Sequence, residues 1–500
     1  MGELKSSYDV VIVGTDLPAL IFGALAAKSG YRVLLLGHGG RNNVYEEDGF
    51  RFVRRPNLMY GFTESQSISE IFRELALLPE MRNRPRQIDP ICSVVMPEKR
   101  LQISHVRDAL THELVREFPG QAGQIENLLH NFFENDSQID PILRGLCPVP
   151  PNGISGYFKW RGIWKNLLSL APGDDALEPV GATDARTFLS APTAFLTGCA
   201  EPWAFPLAFS RTTNHLLRGL YHVEWGLDSL KALFLNRIEG NSGTVRAADF
   251  VDVVQARRSR IHEIDVQGRN ESIGASLLVA GTDLENIIER LPEKMAGRRW
   301  RQRLQETAAT HAMVTLNIGM ARKGLPEGMA RNVFLVQTPE ASLDGDNLLM
   351  LQVDPAMEPA DSTDPDRAVL SVSGMMPATD PESVENVERF CSQMMSRVKA
   401  FMPFLDRHVF VTSIPSITLN PRTGKDMIDR MSLPMIYGKP IPGTLGLVSR
   451  PIRTPVANLL NLGDSAAGLM GFEGAFTAAQ VAFGMLKKQL PKKDVIQHSR

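Results

Sequence analysis

Residues 8–36 constrain the fold of this chain more than any others. Tyr8 to Val13 (YDVVIV) is a short apolar run of the kind that forms a buried parallel strand. Gly14-Thr15-Asp16 is a turn. Leu17 to Ser29 then reads as a helix of small and apolar residues, including Ala19, Gly23, Ala24, Ala26 and Ala27. Small side chains let a helix lie close on a sheet. Gly30 ends the helix, and Tyr31 to Leu36 (YRVLLL) is a second strand. A strand, a helix and a strand in about thirty residues form the unit that opens a dinucleotide-binding sheet.

The whole chain has 500 residues and a mass of 55.3 kDa, too long for one small core and enough for two or three domain-sized units. A formal net charge of −2 offers no dominant phosphate-binding surface, so charge argues against a nucleic-acid partner. Apolar residues at 43% and charged residues at 22% exclude wholesale disorder. Cys92, Cys147, Cys199 and Cys391 lie far apart without a CxxC pair. That spacing argues against structural zinc and a disulfide framework, and it sets a reducing, cytoplasmic compartment as the expectation. No apolar signal-like region precedes the first strand. The longest nearly apolar stretch, Leu17 to Ala27, is too short to cross a bilayer, so any membrane contact is expected to be peripheral. The basic tail Met485 to Lys493 is either such a contact or a solvated helix end.

Further along, residues 60–145 have a mostly helical pattern, as in Ser69 to Leu78 and Val106 to Phe133, and residues 147–153 are a Pro-rich loop. Gly226-Leu-Asp-Ser229 is a turn entering a helix over 230–238. Residues 260–276 suggest a hairpin, and 277–280 a separate short strand. Residues 311–319, 333–337, 347–353, 368–374 and 409–414 read as strands of a different sheet, interrupted by a helix over 382–401. A strand over 459–462 precedes a helix over 475–490. Both chain ends have dinucleotide-domain character and the middle does not. The expected architecture is therefore α/β: a Rossmann-like domain, discontinuous in sequence (1–84, 218–292 and 455–500), with an inserted α+β substrate domain (85–217 and 293–454).

The most informative motif is near the C-terminus: Asn458-Leu-Leu-Asn-Leu-Gly463-Asp464-Ser-Ala-Ala-Gly468-Leu-Met-Gly471-Phe472-Glu-Gly474-Ala475. The strand ends at Gly463. Asp464 presents a carboxylate at the edge of the sheet where ligands of α/β proteins bind. Gly471 and Gly474 allow backbone to approach a ligand, and the next helix points N–H groups at it. This stretch resembles the C-terminal FAD motif of the phytoene desaturase and amine oxidase superfamily of flavoproteins. The Rab GDP-dissociation inhibitors share that architecture. The resemblance implies that Asp464 binds the ribityl chain and that the helix start, Gly471 to Ala475, faces the flavin O2 edge.

The N-terminal fingerprint of that family, G-x-G-x-x-G, stands here as Gly14-Thr15-Asp16-Leu17-Pro18-Ala19. Ala19 is small enough for the third position. Asp16 replaces the glycine that lets pyrophosphate touch backbone. As an N-cap it would compete for the same N–H groups. The second strand ends Leu36-Gly37-His38, where the family usually has a glutamate for the adenosine ribose. Gly39-Gly40-Arg41 resembles the family's GGR stretch and makes Arg41 a pyrophosphate candidate. Val53-Arg54-Arg55 stands where the family often has Asp-x-Gly; these arginines are either new anion contacts or a solvated basic turn. By the same resemblance Ile261 offers its backbone to adenine. Gly226-Leu-Asp-Ser-Leu230 and Leu277 to Thr282 match segments that return to the nucleotide domain.

No acid–base pair, nucleophile motif or second nucleotide fingerprint stands out. His38 is either a ribose or flavin contact or a loop histidine in water. His215, His222, Trp225 and Tyr437 either line a cavity or pack in the core. The lack of an acid–base pair suits flavin chemistry, in which the cofactor accepts the hydride. The expected function is an FAD-dependent desaturase or dehydrogenase. Its substrate would be apolar, isoprenoid or lipid-like. The alternatives are a non-catalytic carrier on the same fold that has lost FAD, and a flavoprotein-like subunit working with a protein partner.

Overall fold

The computed structural model describes residues 4–492 except 63, 147, 152, 182–183, 269–271, 293, 296, 357–364 and 380–382. Cys147 and Lys493 therefore lie outside the described residues.

The first sheet gathers strands from distant parts of the chain. Its order is Thr244–Arg246, Val33–Leu36, Ser7–Val13 and Ser272–Ala280, all parallel. The last of these is long enough for two neighbours. Its first half pairs with Arg260–Val266, followed by Val251–Arg257, both antiparallel. Its second half pairs in parallel with Leu459–Asn461. The apolar runs suit this position because both faces are covered. Val10 and Ile12 enter one core, and Val11 and Val13 the other. Helix Leu17–Lys28 is buried along almost its whole length, which explains why it is apolar all round. Its Gly23 lies against Ile12 and Ile238, so helices Leu17–Lys28 and Gly226–Gly240 approach closely. Helix Gly471–Gln489 packs in the same layer.

The second sheet runs in the order Val409–Ser413, His311–Ala321, Arg367–Pro377, Gly345–Val353, Asn332–Val336, Cys92–Val95 and Arg100–Ile103. Met435–Ile436 pairs with the start of His311–Ala321. Helices Arg107–Glu117, Ala122–Arg144, Asp184–Thr197 and Pro206–Arg218 cover one face, and Val384–Phe401 covers the other. The chain is thus a discontinuous Rossmann-like unit carrying an α+β insert.

Local expectations differ from this structure at several places. Residues 272–280 form one strand rather than two pieces, because Asn458 and the Leu459 strand continue its pairing. The helical reading of 60–145 misses the hairpin of Cys92–Val95 with Arg100–Ile103. Finally, the expected helix over 106–133 breaks at Pro119-Gly120 into two. One helical run, Asp464–Gln489, has the length and hydropathy of a membrane span, but most of it is buried inside the protein.

Candidate active site

The two chain ends meet at the C-terminal edge of the first sheet. Gly14 has φ +104°, and any Cβ there would collide with the carbonyl of Gly281. This holds the turn against the end of the Ser272–Ala280 strand, where the Asp16 N–H donates to Gly281 O at 2.9 Å. Asp16 occupies the N-cap position of its helix but does not cap it with its side chain. The carboxylate reaches across instead, and Oδ2 accepts the backbone N–H of Asp464 at 3.0 Å. Ala19 is small because Gly281 lies directly over it.

Asp464 is held from the other side by Arg55, whose Nη1 donates to Oδ2 at 2.7 Å. Arg55 is placed by its own N–H, which donates to Asn43 Oδ1 at 2.9 Å. The backbone of Asn43 and Val44 is in turn tied to the Asp228 carboxylate by two 2.8 Å hydrogen bonds. That is the work of the Gly226-Leu-Asp-Ser stretch: its aspartate anchors the loop carrying Arg41 and Asn43. Arg54 donates to Ser432 Oγ at 2.8 Å and lies 4.6 Å from the Tyr45 ring. Arg41 is exposed, with Asp429 at 3.6 Å. Of the two alternatives for Arg54 and Arg55, neither is a solvated turn.

A polar cavity of about 100 Å³ lies between these groups. Arg41, Arg54, Arg55, Lys231 and Arg430 line it together with Thr15, Asp16, Asp283 and Asp464, so its cations outnumber its carboxylates. Burial and the neighbouring Asp464 raise the Asp16 carboxyl well above its usual range. Burial also opposes ionisation of Asp464, but Arg55 and Lys231 more than offset it and hold that group below its usual range. The two acids share a site, and ionisation is disfavoured at Asp16 and favoured at Asp464. Burial, then repulsion from Arg55, lowers the Lys231 ammonium.

A second cavity, of about 240 Å³, shares Arg55, Pro434, Met435 and Asp464 with the first. Its other walls are mainly apolar, among them Leu17, Leu58, Met59, Phe195, Leu196, Met313, Ile436, Phe472 and Ala475, with Asn57, Thr197, Ser449 and Ser465 between them. Tyr437 also lines it and donates to Asp283 Oδ1 at 2.8 Å.

The remaining expected site residues fall into two groups. Gly463 lies against Thr282 O and Asp16, and Gly40 against the Thr15 hydroxyl, so both permit close approach at the polar cavity. At the helix start the glycines serve the protein's own packing. Gly471 has φ +49° and abuts Leu196 O, and Gly474 abuts Ala467 O. The Phe472 N–H donates to Tyr60 Oη at 3.1 Å, while Tyr60 donates to Met470 O at 2.8 Å. At least this N–H is satisfied by a tyrosine, although the Phe472 and Ala475 side chains do line the apolar cavity.

The adenosine end departs furthest from expectation. Gly37 lies directly against the backbone of Ala247. His38 is buried, and its Nδ1 accepts the Val251 N–H at 3.1 Å. Burial and Arg290 push it down to about 4, so it is neutral. It is neither a loop histidine in water nor a lining residue of either cavity. Gly39 has φ +82° and sits beneath Phe250. Ile261 does not join the site: its N–H and C=O are both bound by the Asn458 side chain at 2.8 Å. His215 is sealed beside Glu473, His222 is buried and pushed down to about 4, and Trp225 faces Arg51.

Lys231, Asp283, Arg430 and Tyr60 are among the residues the sequence reading missed. Lys231 left one trace, a lone cation in the apolar helix run Leu230 to Leu235. Tyr60 left none.

A discontinuous Rossmann-like domain with its cleft walled by an insert is a fold this chain shares with solved oxidoreductases. An oxidoreductase from Methanosarcina mazei matches over 95% of this chain and 99% of its own, with a TM-score of 0.57 at 15% identity. Putrescine oxidase bound to putrescine matches over 96% and 98%, with a TM-score of 0.56 at 12% identity. Cyclohexylamine oxidase from Brevibacterium oxydans matches over 97% and 100%, with a TM-score of 0.53 at 14% identity. At these identities the likeness is one of fold. No family model matches the chain. Among curated proteins, chloroplastic prolycopene isomerase from Daucus carota is 32% identical over 73 residues, which span 14% of this chain and 12% of that protein.

Proposed function

We propose that this chain is an FAD-dependent oxidoreductase acting on an apolar, isoprenoid or lipid-like substrate. The observation that carries this reading is the junction of two unlike cavities at Asp464. One is polar with surplus cations, and the other is apolar. A molecule with an anionic middle and a flat apolar end has that division of chemistry.

The fit is good at the diphosphate and ring positions. Arg41, Arg54, Arg55 and Lys231 would hold the diphosphate, with Thr15 and the Gly14 turn beneath it. The raised pKa of Asp16 lessens the charge it would set against a diphosphate there. Asp464 would bind the ribityl hydroxyls. Leu17, Met59, Phe195, Phe472 and Ala475 would enclose the ring and a substrate. The adenosine end provides no acid at Gly37, so binding there rests on other contacts. Bound flavin supplies the hydride acceptor. The chain orients an apolar donor and excludes water, since most of the cavity wall offers no hydrogen bond.

The visible spectrum of the purified protein tests this reading. A flavin absorbance band, present as isolated or after reconstitution with FAD, is expected. If neither the wild type nor Asp16→Gly takes up FAD, the reading fails. If only Asp16→Gly does, the wild type is a carrier that has lost the cofactor.

A further inference from the structure

Helix Gly153–Leu170 is anchored along one narrow side. Only Leu167 is buried. Ile154 is 80% exposed, Tyr157 51%, Phe158 63% and Leu168 58%. With Arg161 and Lys165 these residues recur at three- and four-residue spacing, so all six lie on one outward face. The helix contains Lys159, Arg161 and Lys165 and no acidic residue. Among the described residues none of the three makes an ion pair or a hydrogen bond. Its inner face is different. Trp160 and Trp164 stack at 5.2 Å, and with Ile163 they roof an apolar cavity of about 50 Å³ over Met470 and Ala467. The helix is therefore fastened by one side while its aromatic and basic side is bare.

Bulky apolar side chains on a water-facing helix lose free energy unless something covers them. Aromatics and aliphatics flanked by long basic side chains match the boundary of an anionic bilayer. There the rings enter the acyl edge while lysine and arginine reach back to the headgroups. We infer that helix Gly153–Leu170 docks this protein on an anionic lipid surface, lying in the plane of the headgroups with Ile154, Tyr157, Phe158 and Leu168 inserted.

Two of the C-terminal lysines are engaged by the protein itself. Lys487 lies 4.3 Å from the Phe483 ring, and Lys492 lies 4.6 Å from the Tyr31 ring, paired with Asp9 and bonded to Gly30 O. The position of the docking helix also bears on the cleft. Ala467 lines both the cavity beneath the helix and the apolar cavity beside Asp464. A substrate taken from the bilayer would enter close to where it is needed. That consequence rests on the proposed function; the docking does not.

Flotation of the full-length protein with vesicles tests the inference. The protein is expected to float with phosphatidylcholine–phosphatidylglycerol vesicles, not with phosphatidylcholine alone, and to be released by raised salt. Tyr157→Ser/Phe158→Ser and Arg161→Glu/Lys165→Glu should each weaken binding by at least about ten-fold. Their circular dichroism, thermal unfolding and flavin content should stay unchanged, because these side chains are exposed and line neither cavity at Asp464. Failure to float, or flotation indifferent to both variants, overturns the inference. So does a wild-type dimer, seen by size exclusion, that both variants break without the protein ever binding vesicles. Loss of flavin content alone would indict the cleft reading and leave docking intact.

Discussion

Two charged constellations flank the segment 463–475, and they use similar groups to opposite ends. On one side, Arg55 and Lys231 face Asp16 and Asp464 in a cleft where the Arg55 and Asp464 side chains remain 23% and 37% exposed. On the other, Arg211 is sealed at 1% exposure among Asp136, Asp140 and Glu473. Its Nη2 reaches Asp140 at 2.6 Å and Glu473 at 2.6 Å, its Nε reaches Glu473 at 3.0 Å, and Nη1 binds Asp136. Ser65 donates to Glu473 at 2.5 Å, and His215 lies 3.3 Å from it. The sealed knot joins helices Ala122–Arg144, Pro206–Arg218 and Gly471–Gln489, and every arginine donor group is spent on protein. In the cleft the cations exceed the acids and solvent reaches them. Surplus cationic charge with access makes a binding site, whereas a buried cation wholly spent on the carboxylates around it makes a fastener.

Breaking each constellation should separate the two roles. Arg211→Met leaves three carboxylates in the interior without their counter-ion. A loss of about 3–5 kcal/mol is expected in urea unfolding, enough to leave much of the protein insoluble. A smaller effect is expected of Tyr60→Phe, which frees the buried Phe472 N–H and Met470 C=O: about 1–3 kcal/mol by the same measurement. Arg55→Ala should cost about 1 kcal/mol of stability, because its ion pair is only partly buried. Its effect should fall on the ligand instead, as at least ten-fold weaker FAD binding by fluorescence quenching, the weight of about one charge-assisted hydrogen bond. If Arg55→Ala unfolds the protein while Arg211→Met merely weakens FAD binding, the distinction between the two constellations is wrong.

What was legible in the sequence follows the same division. The strand and helix over residues 8–29 can be read because burial on both faces demands an unbroken apolar pattern, and Gly463-Asp464 because a carboxylate after a buried strand marks an edge. The hairpin of Cys92–Val95 and Arg100–Ile103 escapes because each strand is four residues long and lies amid helical periodicity. Tyr60 escapes because its role exists only after residues 60 and 472, far apart in the chain, are brought together. Ile261 misleads because its match to the family is one of position. Here Asn458, nearly two hundred residues later, claims its backbone. The exposed face of residues 153–170 was written plainly in aromatic and basic residues at helical spacing, yet sequence alone does not say which side of a helix is left uncovered.

The finest distinction concerns the two carboxylates of the cleft. Asp16 has its pKa raised by burial and by Asp464, while Arg55 and Lys231 keep Asp464 ionised. A raised folded-state pKa means that folding takes up a proton. The associated stability is whole below the unfolded aspartate value of about 3.9 and drains away as pH climbs through the window up to the folded value. Asn at position 16 keeps an oxygen for the Asp464 N–H but has no proton to lose. Asp16→Asn should therefore match the wild type near pH 4 and exceed it increasingly toward neutral pH, in thermal unfolding followed as a pH series. FAD affinity should exceed that of the wild type only at pH values where the folded Asp16 carboxyl ionises, since the amide presents no charge to a diphosphate at any pH. A variant less stable than wild type at neutral pH would mean that Asp16 is ionised and paired with Lys231 and Arg55. The cleft would then hold a second fastener where the present comparison places a binding site.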